Sequence, residues 1–113
     1  MRNEKIDKDR LPSTLQEFIE RYPKVWSAHE NLGLECKQAG PLDEKQIQLI
    51  KIAITGTLTL ETAFKTHVKK AVGAGASKDE IEHAIIQLLP ILGMGRTMMA
   101  MKWYQESLRR KPT

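Results

Sequence analysis

The chain has 113 residues, of which 41% are apolar and 28% are charged, so it can build one modest core and is too apolar for a disordered protein. Its 18 Lys and Arg residues exceed its 14 Asp and Glu residues by four, and the densest basic run is the short tail 109–111. A nucleic-acid-binding protein usually clusters its cations on one folded face. We therefore do not expect nucleic acid to be the partner.

Cysteine content and hydropathy exclude further classes. Cys36 is the only cysteine, which excludes an intramolecular disulfide and a zinc site built from this chain's own thiolates. No stretch approaches the ~18 apolar residues of a membrane span, and residues 1–10 lack the apolar core of a signal peptide. The sequence thus predicts the reducing cytoplasm as the location and no membrane partner.

Two short helices, or one kinked helix, are predicted in the first third of the chain. Apolar residues recur at helical spacing from Ser13 onward, and Pro23 ends this first helix and allows a second to begin. The second helix is expected to run to about Ala39, where Gly40 and Pro41 stop it.

The third predicted helix begins after Asp43. This residue is a good N-cap, and Gln46 stands three residues later, as in a capping box. Ile47, Ile50 and Ile54 then form one apolar stripe, which predicts that this face of the helix is buried.

A break is expected next, between Thr57 and Leu60, because Gly56 and several β-branched residues weaken helix formation there. The fourth predicted helix starts with Glu61, whose carboxylate suits the positive end of the helix dipole, and runs to about Ala74.

The last two predicted helices are equally well delimited. Ser77 and Glu80 form a capping box that opens a helix extending toward Pro90, and a final helix runs from Met94 to about Leu108. No stretch has the alternating pattern of a strand. The chain is therefore predicted to be all-α, a bundle of five to six helices.

Several phrases of the sequence match a known family. They are YPKVWSAHENLG, GPLDEKQIQLIKIAI and THVKKAVGAGASKDEIEHAIIQLLPILGMGR, and the most specific feature is His67 followed by an Ala-Gly-Ala-Ser turn and an acidic helix start. The segment from Pro23 to Tyr104 resembles the carboxymuconolactone decarboxylase family, which includes the alkyl hydroperoxide reductase D proteins. The resemblance implies an all-α subunit of the alkyl hydroperoxide reductase D type that assembles as a homotrimer or homohexamer.

The predicted helices, together with the resemblance, divide the chain into three parts. Residues 13–108 are expected to form the carboxymuconolactone decarboxylase-like helical domain. Residues 1–12 are expected to be a flexible N-terminal segment, and residues 109–113 a basic C-terminal tail.

The redox chemistry of the family is not expected here. Redox members carry a Cys-x-x-Cys-x-x-x-His motif, because one thiolate must attack and a second must resolve the disulfide. Projected back from His67, both sulfur positions are occupied by other residues, Leu60 and Ala63, and the family's accompanying acidic residue falls on Gln48. Cys36 lies on another predicted helix and is expected to be a small buried apolar residue. The sequence therefore predicts a protein that is not a thiol peroxidase.

His67 is the remaining candidate for chemistry. It shares a predicted helix face with Leu60, Phe64 and Ala71, so it can be a hydrogen-bonded core or interface histidine, a general acid or base, or a metal ligand. Because the other two histidines lie on different helices with no convergent spacing, we predict no metal site and no cofactor.

Three further residues complete the predicted site. Decarboxylase-like members place a Glu four residues before the matching His, but here that position is Ala63; Glu61 is the alternative acid, although six residues correspond to about 240° around a helix. Arg96 is predicted to hold an anionic substrate group, with Gln48 as a second substrate-binding residue.

Two functions are compatible with these residues. The first is a lyase or isomerase that acts on a small carboxylated or lactone compound, with His67 moving a proton and Arg96 orienting the carboxylate. The alternative is a non-catalytic or ligand-binding oligomer that has kept the scaffold after losing the active groups.

Overall fold

A computed structural model describes residues 11–109 of the chain. Within this range the chain forms seven helical segments and no strand, which confirms the all-α prediction. Most of the predicted flexible N-terminal segment and most of the basic tail lie outside the described residues. None of the helices in the described range is long and apolar enough to cross a membrane. The chain divides between Pro41 and Leu42 into two compact units.

The first unit contains α1 (Ser13–Arg21) and α2 (Pro23–Gln38). Pro23 stands in the first turn of α2, where its missing N–H costs no helical hydrogen bond. Among the described residues of this unit, Ile19 is the one whose side chain is buried. Cys36 is exposed, so the expectation that it is buried was wrong. α2 buries none of its side chains, and helical spacing alone could not reveal this.

The second unit contains five helical segments: α3 (Glu44–Thr57), α4 (Glu61–Gly73), α5 (Lys78–Ile86), α6 (Leu89–Leu92) and α7 (Met94–Leu108). Both predicted capping boxes are formed. The Asp43 carboxylate accepts from the Gln46 backbone N–H at 2.8 Å, and the Ser77 hydroxyl accepts from the Glu80 backbone N–H at 3.0 Å. These local bonds fix where α3 and α5 begin.

The core of the second unit consists of side chains from α3, α4, α5 and α7. Its fully buried large members are Ile52, Phe64, Val68, Ile81, Ile85 and Tyr104. Phe64 on α4 meets Trp103 on α7 edge to face, with ring centroids 5.7 Å apart. Each large apolar side chain buried here contributes roughly 1.5–3 kcal/mol to the free energy of folding.

The buried face of α3 differs from the predicted one. The Ile50 and Ile54 side chains are 45% and 51% exposed, so the predicted burial of this stripe is wrong for the single chain. The face that packs inward carries Gln48 and Ile52, followed by Gly56. Apolar periodicity missed this face because a polar residue and a glycine stand on it.

Gly56 allows this face of α3 to pack closely against its neighbours. A Cβ atom at this position would lie 3.1 Å from Leu88 Cδ2 and 3.3 Å from Phe64 Cε1, so the missing side chain lets two buried residues approach the α3 backbone. Both neighbours are almost fully buried.

α3 and α4 form a helical hairpin joined by the link 58–60, as the predicted break required. Thr59 in this link has φ = 63°, in the left-handed region that a threonine rarely adopts. The hairpin brings the first half of α3 alongside the second half of α4. This arrangement positions the site described next.

Candidate functional site

His67 on α4 and Gln48 on α3 meet across the helical hairpin. Nδ1 of the imidazole lies 2.8 Å from Oε1 of the Gln48 amide. His67 is half-buried, whereas Gln48 is only 4% exposed. A polar group buried to this extent is costly unless it is hydrogen-bonded, so this contact satisfies an amide inside the helix interface. The structure thus brings together two residues that the sequence predicts at the site.

Glu44 extends this pair by one turn of α3. Its Oε2 atom accepts a hydrogen bond of 3.0 Å from Nε2 of Gln48, four residues later. The carboxylate also stands in the first turn of α3, where it complements the helix dipole. Sequence reasoning missed Glu44, although its i,i+4 spacing from Gln48 was a signal that could have found it.

The surroundings of His67 favour its neutral form. Its pKa is lowered from 6.5, first by burial and then by the positive charges of Lys70 and Lys51, while the Glu44 carboxylate acts in the opposite direction. At neutral pH the imidazole therefore has one nitrogen with a proton and one with a lone pair. A group in this state can accept a proton from a bound molecule.

Glu61 lies on the same helix as His67 but is engaged elsewhere. Its carboxylate is 2.9 Å from Nζ of Lys65, and Lys65 also reaches Glu106 on α7 at 2.8 Å. These hydrogen bonds raise the pKa of Lys65, and the one to Glu106 lowers the pKa of that carboxyl group. The structure therefore places Glu61 in an ion-pair cluster and does not bring it to the imidazole.

Arg96 at the start of α7 is likewise anchored away from His67. Its guanidinium donates to the Thr59 hydroxyl and, at 3.4 Å, to the Thr57 carbonyl. Thr57 is nine residues beyond Gln48 on α3, which corresponds to about 13 Å along the helix axis. The structure does not bring Arg96 together with the His67 and Gln48 pair.

Hydrocarbon side chains occupy the two positions at which the resemblance would place the redox thiols. Leu60 precedes the first residue of α4, and Ala63 lies within its first turn. The chain's single cysteine belongs to α2 of the first unit. Among residues 11–109, no group of three or more His, Cys, Asp or Glu side chains is arranged to hold a metal ion.

Comparisons with known proteins agree with this architecture. The sequence pattern of the carboxymuconolactone decarboxylase family matches residues 21–106. An uncharacterized protein of Methanocaldococcus jannaschii is 30% identical over 89 residues, which are 79% of this chain and 83% of that protein. The apo crystal structure of a carboxymuconolactone decarboxylase family protein from Legionella pneumophila superposes with a TM-score of 0.73 at 20% identity, covering 86% of this chain and 89% of the other.

Proposed function

Because the chain belongs to the carboxymuconolactone decarboxylase family, we propose that it acts as a lyase or isomerase on a small carboxylated or lactone compound, with His67 as the general acid and base. The hydrogen bond between His67 and Gln48 carries the proposal. It orients an imidazole whose lowered pKa leaves it neutral and able to accept a proton.

Proton transfer is the only chemistry that the proposed reactions require from the protein. In an isomerisation, the neutral imidazole removes a proton from one carbon of the substrate and returns it to another. In a decarboxylation, the imidazole of His67 first takes up a proton from water. The bond to the carboxyl carbon then breaks, carbon dioxide leaves, and the electron pair that remains on carbon takes that proton, which returns the imidazole to its neutral form. Neither step requires an oxidant or a thiol.

The charges near His67 support an anionic substrate. Lys51 and Lys70 both lower the pKa of the imidazole, so their charges act at this ring. Each lysine stands three residues after a member of the hydrogen-bonded pair, Gln48 and His67 respectively, and residues at this spacing are neighbours on a helix surface. A substrate carboxylate placed between them would gain favourable charge interactions. The proposal does not depend on the more distant Arg96.

The experiment is a substrate screen with matched histidine variants. Purified protein is incubated with γ-carboxymuconolactone and related small carboxylated lactones, and carbon dioxide release and isomerisation are followed. We expect turnover to fall by roughly 10²–10⁴-fold in His67→Ala and to be unchanged in the control His29→Ala, which alters an exposed histidine of α2. Equal rates in the wild type and His67→Ala would refute the proposed role. Binding without turnover across the screen would favour the ligand-binding alternative.

We also propose that the protein is inactive as a thiol peroxidase. Leu60 and Ala63 cannot form or resolve a disulfide, and Cys36 has no second cysteine in the chain. A thiol-dependent peroxide assay tests this point. Peroxide turnover that disappears in Cys36→Ser would contradict it.

Self-association as a homotrimer or homohexamer is the proposed state of the protein. Ile50 and Ile54 of α3 and Leu58 just after it follow one another at i,i+4 spacing and are 45%, 51% and 60% exposed. Two of these residues, Ile54 and Leu58, together with Ala53 and Thr57 line a shallow apolar depression of about 290 Å³. An exposed apolar stripe of this kind is typical of a protein interface.

Sedimentation analysis tests the proposed assembly. The wild type is expected to sediment as a trimer or hexamer, and Ile54→Asp to dissociate it. Ile86→Asp is the control, because Ile86 is similarly exposed but lies on α5 outside the stripe. A monomeric wild type would contradict this part of the proposal.

We propose the cytoplasm as the location. Cys36 is exposed on α2, and a single exposed thiol suits a reducing compartment, where it is not driven to pair with other cysteines. Fractionation of the source cells tests this, and recovery of the protein outside the cytoplasmic fraction would contradict it.

A further inference from the structure

We infer that Glu44, acting through Gln48, sets the tautomer of His67, so that Nδ1 carries the proton and Nε2 offers its lone pair to the substrate. Glu44 would thus be a positioning residue of the proposed site. The catalytic consequence rests on the proposed function, but the tautomer is a property of the protein without substrate and can be measured separately.

The first step concerns the orientation of the Gln48 amide. An ionised carboxylate can only accept hydrogen bonds, and Oε2 of Glu44 lies 3.0 Å from the end of the Gln48 side chain. The NH₂ group of the amide must therefore face Glu44, because the opposite orientation would place a carbonyl oxygen against a carboxylate oxygen. Gln48 is 4% exposed, so solvent has little access to compete for this contact.

The second step concerns the imidazole. With its NH₂ group facing Glu44, Gln48 presents its carbonyl oxygen to Nδ1 of His67 at 2.8 Å. A carbonyl oxygen can only accept, so Nδ1 must be the protonated nitrogen. In a neutral imidazole the other nitrogen then carries the lone pair. One carboxylate thereby fixes both the amide and the ring.

The third step explains what the amide adds. A carboxylate in direct contact with the imidazole would stabilise the imidazolium and raise its pKa. The neutral Gln48 side chain transmits the directional preference of Glu44 while it keeps that charge one residue away from the ring. The groups that face His67 are consistent with this balance, because burial, Lys70 and Lys51 lower its pKa and the Glu44 carboxylate raises it only in part.

The test is a measurement of histidine tautomers by NMR. Protein labelled with ¹⁵N at histidine is studied above the pKa of His67, and long-range proton–nitrogen correlations report which ring nitrogen carries hydrogen. We expect the Nδ1–H form to predominate at His67 in the wild type. In Glu44→Gln the residue at position 44 can donate as well as accept, so the Gln48 amide can take either orientation and the preference should be lost.

Glu61→Gln is the matched control, because it removes the same charge from an exposed carboxylate of the same unit that pairs with Lys65. It should leave the tautomer of His67 unchanged. A wild type with the Nε2–H form, or a preference that persists in Glu44→Gln, would overturn the inference.

Kinetics separate this inference from the proposed function. If the two tautomers become equally populated in Glu44→Gln, about half of the molecules hold the productive form, and kcat should fall about twofold with little change in KM. If no substrate is turned over, the proposed function fails while the NMR result still decides the inference. If turnover depends on His67 but the wild type has the other tautomer, only the inference fails.

Discussion

Gln48 and His67 are hydrogen-bonded at 2.8 Å across the hairpin of α3 and α4, two helices that also contribute Ile52, Phe64 and Val68 to the apolar core. A leucine at position 48 could fill the same space without the cost of burying an amide. The polar pair is therefore better explained by what it does to the imidazole than by packing alone. Its effect on protonation can be tested through stability as well as through activity.

The first prediction concerns the pH dependence of folding. The folded-state pKa of His67 lies below its ordinary value of 6.5, so the unfolded chain binds more protons between these two values. The free energy of unfolding should therefore rise with pH through this window, level off above about 6.5, and stop changing through His67 below the folded-state pKa. Denaturant unfolding of the wild type at a series of pH values measures this slope.

His67→Gln provides the control for this slope, because glutamine can still donate to the Gln48 carbonyl but does not titrate. The slope between the folded-state pKa and 6.5 should be smaller in this variant. The lowered pKa values of Glu80 and Glu106 contribute equally in the two proteins, so they cancel in this comparison. Identical slopes in the two proteins would show that His67 titrates alike in the folded and unfolded chains.

The second prediction concerns Gln48→Glu. A carboxylate at this position would lie against the imidazole, and opposite charges in contact stabilise the imidazolium, so the pKa of His67 should rise above its wild-type value. The new carboxylate would also be nearly fully buried and would repel Glu44 one turn away, which should lower the free energy of unfolding by about 1–3 kcal/mol. NMR titration of His67 measures the pKa, with Gln48→Leu as the uncharged comparison. A pKa at or below that of the wild type would contradict the geometry of the pair.

The boundaries of the elements could be predicted from the sequence because they depend on local bonds. Asp43 and Ser77 cap their helices through residues only three positions away, and Gly75 adopts φ = 95° just after α4. The buried face of α3 could not be predicted in the same way. It depends on Phe64 and Leu88, which approach Gly56 only once the helices pack.

The candidate site was predictable to the extent that it follows the family's motif. Gln48 and His67 were identified at matching positions, and they do meet. The pairing of Glu61 with Lys65 could have been anticipated from its i,i+4 spacing. The contact of Arg96 with Thr59 is tertiary and could not. Residue type indicated what these side chains can bind, but not which partner lies within reach.

The third prediction tests the close approach at Gly56. Alanine would gain up to about 1 kcal/mol of helix propensity over glycine, but its Cβ would press against Phe64 and Leu88, and overpacking of buried side chains typically costs about 1–3 kcal/mol. We expect Gly56→Ala to lower the free energy of unfolding by roughly 0.5–2 kcal/mol, the difference between these opposing effects. Gly73→Ala is the control, because no atom lies within 4 Å of a Cβ built there. It should be neutral or stabilising, and equal effects of the two changes would contradict the packing argument.

The fourth prediction separates the structural role of Arg96 from the substrate role that the sequence suggests. Its guanidinium holds Thr59 in a left-handed conformation and places a positive charge at the negative end of α3, and an exposed contact of this kind contributes about 0.3–1 kcal/mol. Arg96→Ala should lower the free energy of unfolding by this amount, with the exposed Lys102→Ala on the same helix as the neutral control. Because Arg96 is anchored about 13 Å along α3 from Gln48, KM for a carboxylated substrate should not change. An increase in KM without loss of stability would instead favour direct contact between Arg96 and the substrate.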